Sequence, residues 1–561
     1  MRVFLRTFCV PALAVVLLMA MSFIQPSRAD WDNDDFSDFA DDMASEMKAF
    51  EEEADADVEA FLAEADRDFL EFLRDAWKDL EEFEGIPSPL KPKPKVLPKA
   101  PKAPETSKPE PDKTPVVKLP EPVVVTPQAS PVKGAPSKTP SHKGGSSKAS
   151  GDKATPAKGA AGRLSPGKAA PSKASPSKAT PSKSSPGTLS FVETEDDRLK
   201  VAVNWMGQEL TFRCDPQSRH PLRGDVNPQA IAEFWEHQAK LDYQDILEQL
   251  YAAKQGLLLN DWGYVRLVWS FARELQPATS EANLYGWFLL TKSGYRARLG
   301  YGDGKAYLLA AADNTIYGVP YYTVKGTRYF NLSYMDGEPR PNLMRTYDGE
   351  YAGAENGLDL QLRQIPRANA KENKRQLAFK YDGKKYSVPV VFSEERVNFF
   401  HAYPQTDIPI FFQAAVSGTA EQSLVKGLAP LIEGRTERDA VNLLLRFVQT
   451  AFEYKTDHQQ FGKEKYLFVE ETLRFPYSDC EDRSIIFSYL VKRLTGLDVV
   501  ALKYPNHIAT AVRFRGPVKG TTVNVQGETY VICDPTYINA SVGMEMPQFK
   551  NVDPEVMRIM L

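Results

Sequence analysis

The sequence predicts an α+β fold for the C-terminal two thirds of the chain. Three observations carry that prediction. Aromatic and β-branched residues become dense from about residue 189. Stretches of helical period recur at Ala230 to Gln255, Asp261 to Leu275, Arg438 to Phe452 and Ile485 to Leu494. Short β-rich runs lie between and after them, at Leu199 to Arg213, Ala306 to Ala311, Ile508 to Phe514 and Glu528 to Cys533. This body of roughly 370 residues is long enough to bury more than one core.

What precedes the body is of a different character. Residues 1–29 read as a secretory signal peptide, with Arg2 and Arg6 before the apolar run Phe8 to Ile24 and Ser27-Arg28-Ala29 as a small-residue cleavage site. An uncleaved inner-membrane anchor is the alternative, because the run is nearly long enough to span. No other stretch could cross a membrane. In residues 30–85 acidic residues far outnumber basic ones, and Phe50, Ala54, Val58, Phe61, Leu62, Phe69, Leu73 and Trp77 recur at helical spacing. The expectation is an acidic amphipathic helix or helix pair, folding against a partner or against this chain's own body. Residues 86–188 are rich in Pro, Lys, Ser and Ala and strongly basic. Such a composition cannot bury a core and is expected to be an extended, disordered tether, with anionic envelope polymers as a potential contact. The export signal and the lack of interleaved aromatics argue against nucleic acid.

Within the body, Leu199 to Arg213 alternates around Met206-Gly207-Gln208, a hairpin signal. Residues 335–424 look β-rich. Leu358 to Leu362, Gln376 to Tyr381, Lys385 to Phe392 and Phe399 to Tyr403 read as strands, and Asp382-Gly383 as a hairpin turn.

The chemistry concentrates in residues 425–561. Cys480 stands at a helix start, with Ser478 and Glu481 at capping-box spacing and Asp479 as a second N-cap candidate. Glu481 and Asp482 read as capping residues. A thiol in the first helical turn feels the positive end of the dipole, and a lowered pKa is expected. Backbone N–H groups there can hold an oxyanion. His507 opens one β run and Asp534 closes another before Pro535. On adjacent strands, Asp534 would orient the imidazole whose other nitrogen faces the sulfur. Gln459 and Gln460, upstream of the thiol, are side-chain oxyanion candidates. His458 precedes the cysteine and falls outside this order.

The stretch Asp479-Cys480-Glu481-Asp482 through Gly496, then His507, then Asp534-Pro535-Thr536, resembles the transglutaminase-like cysteine protease superfamily over roughly residues 430–540. The Asp-Cys-Glu-Asp run is similar to that of bacterial transglutaminase-like cysteine proteinases of the cell envelope. Ser478 replaces the glycine usual before the Asp-Cys pair, and Ala509 an aromatic residue frequent after the histidine. The resemblance implies a papain-like core, a catalytic helix against an antiparallel sheet, and acyl transfer from an amide to water or an amine, with proteolysis favoured. It implies no cofactor, with calcium support of such folds left open. It also casts residues 189–334 as a degenerate transglutaminase-like core. Tyr285 to Arg298 parallels Phe487 to Val500, and Gly326 to Leu332 parallels Gly527 to Cys533. The counterpart of Cys480 falls near Ala278, with no His or Asp at the other two places.

The remaining expectations follow from composition. Outside the leader only Cys214, Cys480 and Cys533 remain, too few for a disulfide scaffold, although spacing leaves a Cys214–Cys533 bridge open. No metal-ligand cluster, phosphate loop or dinucleotide fingerprint stands out. The chain is expected to be an exported, periplasmic or envelope cysteine hydrolase or acyl transferase acting on protein or peptide. The alternative is a non-catalytic envelope scaffold of the same fold.

Overall fold

Two antiparallel sheets, each preceded by a buried helix, organise the molecule. A computed structural model describes residues 60, 62–70, 73, 82–83, 86–87, 114–117 and 197–559 apart from 348. The expected leader, most of the acidic segment and most of the tether lie outside the described residues.

In chain order, helix α1 (62–70) is followed by β1 (Glu82–Phe83), β2 (Ile86–Pro87) and the hairpin β3 (Leu199–Trp205) and β4 (Gln208–Cys214). Helices α2 (Pro228–Ala239), α3 (Tyr243–Gly256), α4 (Asp261–Leu275) and α5 (Thr279–Lys292) come next. Strands β5 (Ala297–Gly302), β6 (Lys305–Ala311), β7 (Pro320–Val324) and β8 (Thr327–Asn331), helix α6 (Leu332–Met335) and β9 (Met344–Thr346) complete the first half. The hairpin β10 (Glu372–Tyr381) and β11 (Lys384–Ser393) leads into α7 (Glu394–His401), α8 (Ile408–Phe412), α9 (Gly418–Ile432) and α10 (Glu437–Ala451). The last part holds β12 (Glu453–Tyr454), α11 (Asp457–Phe461), α12 (Val469–Arg474), β13 (Tyr477–Ser478) and α13 (Cys480–Thr495). It ends with β14 (Asp498–Tyr504), β15 (His507–Arg513), β16 (Thr522–Val525), β17 (Glu528–Cys533) and β18 (Glu555–Arg558).

The first sheet runs β1-β9-β5-β6-β8-β7-β2 and the second β16-β17-β15-β14-β18. Strands β1 and β2 are neighbours in sequence yet lie at opposite ends of the first sheet. That sheet therefore curls until its two edges approach one another. Helices α5 and α13 are buried along most of their length; α5 is apolar on most of its circumference, whereas α13 also buries Glu481, Asp482, Arg483 and Ser484 ahead of its apolar run. All-round hydrophobicity is what a helix central to a layered core requires. Helix α10 is amphipathic instead and lays its apolar face on α13 and β10.

Part of the N-terminal region packs on the body. Ala65, Phe69 and Leu73 are buried, at the spacing of one helix face. Phe69 meets Trp235 edge-on at 4.7 Å, and Tyr347 and Tyr351 at 5.6 and 5.3 Å. Asp66 pairs with Lys292 and accepts from the hydroxyls of Tyr243 (3.3 Å) and Tyr351 (3.1 Å). The Lys292 ammonium is ringed by Trp235, Tyr243, Phe288 and Tyr351 at 4.7–5.4 Å. Burial pushes its pKa down to about 8, against the opposing pull of Asp66. So of the two alternatives for the acidic segment, residues 62–70 and Leu73 dock on this chain's own body.

The tether expectation also needs correction at residues 114–117. Glu437 N–H donates to Pro115 O (2.7 Å), Arg438 N–H to Thr114 Oγ1 (3.0 Å), and Val117 N–H to Arg435 O (2.8 Å). Two of these bonds satisfy free N–H groups in the first turn of α10. The sequence hid this because it lies in one Thr-Pro-Val-Val run among lysines and prolines.

Residues 335–424 are less β-rich than expected. Strands β10 and β11 pair over their whole length around the Asp382-Gly383 turn. Phe399 to Tyr403, however, is the end of α7 and the residues after it. Ser393 caps that helix by accepting from Arg396 N–H, and Glu394 and Glu395 occupy its first turn. That cap outweighs the strand preference of the aromatics. Leu358, Leu360 and Leu362 are buried in extended chain with one isolated bridge, Ala312 to Leu358, rather than a ladder. Cys214, Cys480 and Cys533 are all free thiols and buried. No helix among the described residues is long and apolar enough to cross a membrane.

Candidate active site

Helix α13 begins where the sequence places it, and the second of the two N-cap candidates is the one used. Asp479, not Ser478, is the N-cap, and Asp482 at N3 accepts from the Asp479 N–H at 3.4 Å. The Ser478 hydroxyl instead accepts from Arg483 Nε at 3.1 Å. Gly496, at φ 69°, ends the helix in the left-handed conformation that glycine adopts without steric cost. The first turn is fixed to the second sheet by Ser484 Oγ, which donates to Ile508 O at 3.1 Å. The N–H of Ile508 approaches the Cys480 sulfur. The thiol therefore sits against the residue next to His507.

His507 opens β15 after a two-residue turn, in which Asn506 has φ 61°. Strands β15 and β17 pair with Thr510 opposite Cys533, which carries Asp534 toward the imidazole. His507 Nε2 and Asp534 Oδ2 are 2.8 Å apart, and both side chains are buried. The other carboxylate oxygen, Oδ1, accepts from Thr536 and Tyr537 N–H at 2.9 and 3.1 Å. This bracing locks the carboxylate in place. The Phe549 ring stacks on the imidazole with 2° between planes. Gln449, on α10, donates to the carbonyls of Asp534, Tyr537 and Ala540 and holds the loop. In the neutral tautomer that donates Nε2–H to the carboxylate, Nδ1 is the nitrogen with the lone pair. Nδ1 is buried and has no hydrogen-bond partner.

The thiol itself departs from expectation. Cys480 is 3% exposed, and its Sγ donates to Glu481 Oε2 at 2.8 Å rather than to His507. Burial, then the carboxylates of Glu481 and Asp479, hold its pKa well above the ordinary thiol value. The expected lowering by the helix dipole is outweighed. The dipole is worth about 0.3–1 kcal/mol, whereas one unit charge 4 Å away contributes about 4 kcal/mol at an effective dielectric of 20.

Neither glutamine candidate joins the triad by a hydrogen bond. Gln459 Oε1 accepts from Thr456 N–H and serves to cap α11. Gln460 lies half-buried on the same short helix. His458 is exposed there and lines a separate groove. Sequence reasoning missed Tyr454. The parallel pairing of β12 with β13 sets Tyr454 opposite Ser478, two residues before the thiol. Its ring lies 5.3 Å from the Arg483 guanidinium, and its phenol is within electrostatic reach of Cys480. Glu481, read as a capping residue, is the thiol's own partner.

Three buried carboxylates converge behind this turn. Asp457, Asp479 and Asp482 each place an oxygen within 4.8 Å of the others. Asp482 Oδ1 accepts from Leu467 N–H and Asp457 Oδ2 from Lys465 N–H. Neither oxygen of Asp479 has a hydrogen-bond partner. Burial and the neighbouring carboxylates push Asp479 well up, and burial pushes Asp482 up to about 7. Oxygen donors of this kind fit a hard divalent cation, calcium included. These are the residues that would hold one.

The first sheet repeats the architecture without the groups. Its strands β7-β8-β6-β5-β9 follow the order β16-β17-β15-β14-β18, and α5 precedes it as α13 precedes the second. The hairpin pair Gly300 and Tyr307 becomes Leu502 and Ala509 when both are shifted by 202 residues. Tyr321 and Phe330 become Thr522 and Val531 on a shift of 201. These shifts set Ala278, Lys305 and Ser333 against Cys480, His507 and Asp534. Searches of family models, curated proteins and solved structures return no match to this chain.

Proposed function

We propose that this chain is an exported cysteine-dependent hydrolase or acyl transferase that acts on peptide amide bonds, with hydrolysis favoured. The observation that carries the reading is the buried His507–Asp534 pair at 2.8 Å, with its second ring nitrogen unpartnered beside the helix that starts at Cys480. In this reading the Cys480 proton passes to His507 Nδ1 once the Glu481 contact opens. The thiolate adds to the amide carbonyl carbon, and N–H groups of the first turn of α13 receive the developing oxyanion. His507 then returns the proton to the leaving amine as the C–N bond breaks. A thioester remains, which water or an amine resolves. Asp534 holds the ring in the tautomer that leaves Nδ1 free. A cation on Asp457, Asp479 and Asp482 would supply positive charge beside this turn. The shared strand order supports reading residues 189–334 as a degenerate copy of the catalytic core. The leader supports a periplasmic or envelope location, where the lysine-rich segment would meet anionic polymers.

A second reading is a scaffold without turnover, favoured by the burial of the thiol and its bond to Glu481. Iodoacetamide labelling of the folded protein separates the two. The enzyme reading expects Cys480 to be modified at least tenfold faster than Cys214 and Cys533, and His507→Ala to remove that advantage. Equal, slow labelling of all three would favour the scaffold.

A further inference from the structure

Away from the candidate active site, an amine and a carboxyl are pressed together inside an aromatic cage. Lys292 is the last residue of α5, and its side chain is 1% exposed. Its Nζ contacts Asp66 Oδ1, one bond from the carboxyl carbon. The rings of Trp235, Tyr243, Phe288 and Tyr351 enclose the nitrogen. On α1 the buried Ala65 and Phe69 flank Asp66 and hold its helix against the cage.

The carboxyl is braced as firmly as the amine. Tyr351 Oη donates to Oδ1 at 3.1 Å and Tyr243 Oη to Oδ2 at 3.3 Å. Each oxygen thus has a phenol donor. Donors so placed draw charge from the carboxyl and can stabilise the negative oxygen of an addition intermediate. Burial raises the pKa of both phenols, so they keep their protons. Tyr351 Oη also accepts from Lys292 Nζ at 2.9 Å. That phenol therefore links an amine proton to the carboxyl oxygen.

A buried ion pair sheds its desolvation cost by becoming neutral. One proton passed from Nζ to Asp66 turns two charges into an amine and a carboxylic acid. Burial already brings the Lys292 pKa down to about 8. At pH 7 about one such lysine in ten is a free amine, against about one in three thousand at the ordinary value. Separate amines and acids do not condense in water. Contact and the exclusion of water reverse this, because well-oriented intramolecular partners react at effective concentrations of about 10⁵–10⁸ M.

We propose that Lys292 and Asp66 join in an intramolecular isopeptide bond that fastens the N-terminal segment to the body. The Nζ lone pair adds to Asp66 Cγ, and a C–N bond forms. Tyr351 relays an Nζ proton to the hydroxyl on Cγ, the C–O bond breaks, and one water leaves. Ammonium and carboxylate become amide and water, and no other reactant is needed. The ion pair, with its titration, is the state before the bond closes. The link spans 226 positions in a chain whose described cysteines are all free thiols. It constrains the unfolded chain as a disulfide would, and it is independent of the chemistry at Cys480.

The test is the mass of the full chain, purified at neutral pH and unfolded for measurement. Counted from its own N-terminal residue, the parent should be lighter than its sequence by one water, about 18 Da. Lys292→Arg should carry its full mass. Trypsin should leave residues 49–67 of the parent joined to residues 274–296, because a linked Lys292 is no longer a cleavage site. Tyr243→Phe combined with Tyr351→Phe should slow the loss of water at least tenfold. A parent at full mass that yields free peptides 49–67 and 274–292 overturns the proposal. So does the loss of one water from Lys292→Arg, which would mark dehydration of another aspartate. If Lys292→Arg does not fold, the parental peptides decide alone: joined they support the bond, free they refute it. Full linkage at the parental rate in the double phenylalanine variant overturns the part given to the phenols.

Discussion

Replacing Asp534 by Asn separates orientation from stability. The Oδ1 position survives as the amide oxygen, so the N–H groups of Thr536 and Tyr537 keep their acceptor. The Oδ2 position, 2.8 Å from His507 Nε2, becomes an NH₂ donor. Nε2 must then accept, and the ring proton moves to Nδ1, the nitrogen needed as base. In a serine triad the equivalent change lowers turnover about 10⁴-fold, or about 5 kcal/mol of transition-state stabilisation. A smaller loss, about 10²- to 10³-fold, is expected here, because a thiol gives up its proton more readily than a hydroxyl. Asp534→Ala also removes the acceptor of two buried N–H groups and should destabilise the fold by about 3 kcal/mol. The assay is the rate at which a p-nitroanilide peptide acylates Cys480, followed by intact mass, with thermal melts in parallel. Asp534→Asn should melt close to the parent and acylate slowly. Acylation at the parental rate would refute the orienting role. If Asp482→Asn were then the variant that lost it, the carboxylate beside the nucleophile would take that role.

Further expectations concern the thiol and the docked helix. Cys480→Ala should melt close to the parent yet form no acyl-enzyme by mass; acylation elsewhere on the chain would displace the assignment. Glu481→Gln should speed alkylation of Cys480 severalfold, since it removes a negative neighbour of the thiolate; unchanged alkylation would count against the Glu481 contact. Asp66→Leu should cost about 3–5 kcal/mol by leaving the Lys292 charge buried and unpaired, or else undock residues 62–73, whereas Asp66→Leu with Lys292→Met should be neutral or stabilising; denaturant unfolding and proteolysis of that segment distinguish these outcomes. The folded-state pKa of Lys292, about 8, lies below its ordinary 10.5. The unfolded chain therefore binds the extra proton between those values, and the destabilisation, about 3 kcal/mol below pH 8, should fade as pH rises to 10.5. A midpoint difference between the parent and Lys292→Met that stays flat across that window would contradict the assignment.

The sequence exposed what depends on local pattern and concealed what depends on distant partners. The ends of α13, β15 and β17 were legible because Asp479, Gly496, Asn506 and Pro535 punctuate them with known backbone preferences. The order thiol, imidazole, carboxylate was legible for the same reason. The raised pKa of Cys480 was not, because it follows from burial and from the direction in which Glu481 turns, and neither leaves a periodic trace. Gln449 and Phe549, which brace Asp534 and His507, sit 85 and 42 residues from the groups they hold in an otherwise ordinary context. Aromatic content misled at Phe399 to Tyr403, where the Ser393 cap decided for helix. The matching registers of the two sheets could be suspected from two short apolar parallels, but only strand pairing fixes the shifts.

The docked N-terminal residues impose an order on assembly. Asp66 finds Tyr351 across 285 positions, and Thr114 finds Arg438 across 324. Both are synthesised before the body, and their landing places are made hundreds of residues later. They must therefore wait unpaired while the body forms, since closing such long loops is disfavoured until the surfaces exist. The segment made earlier is in this sense the later to settle. Its arrival on α5 and on the start of α10 marks a finished body, a checkpoint that a protease or a chaperone could read.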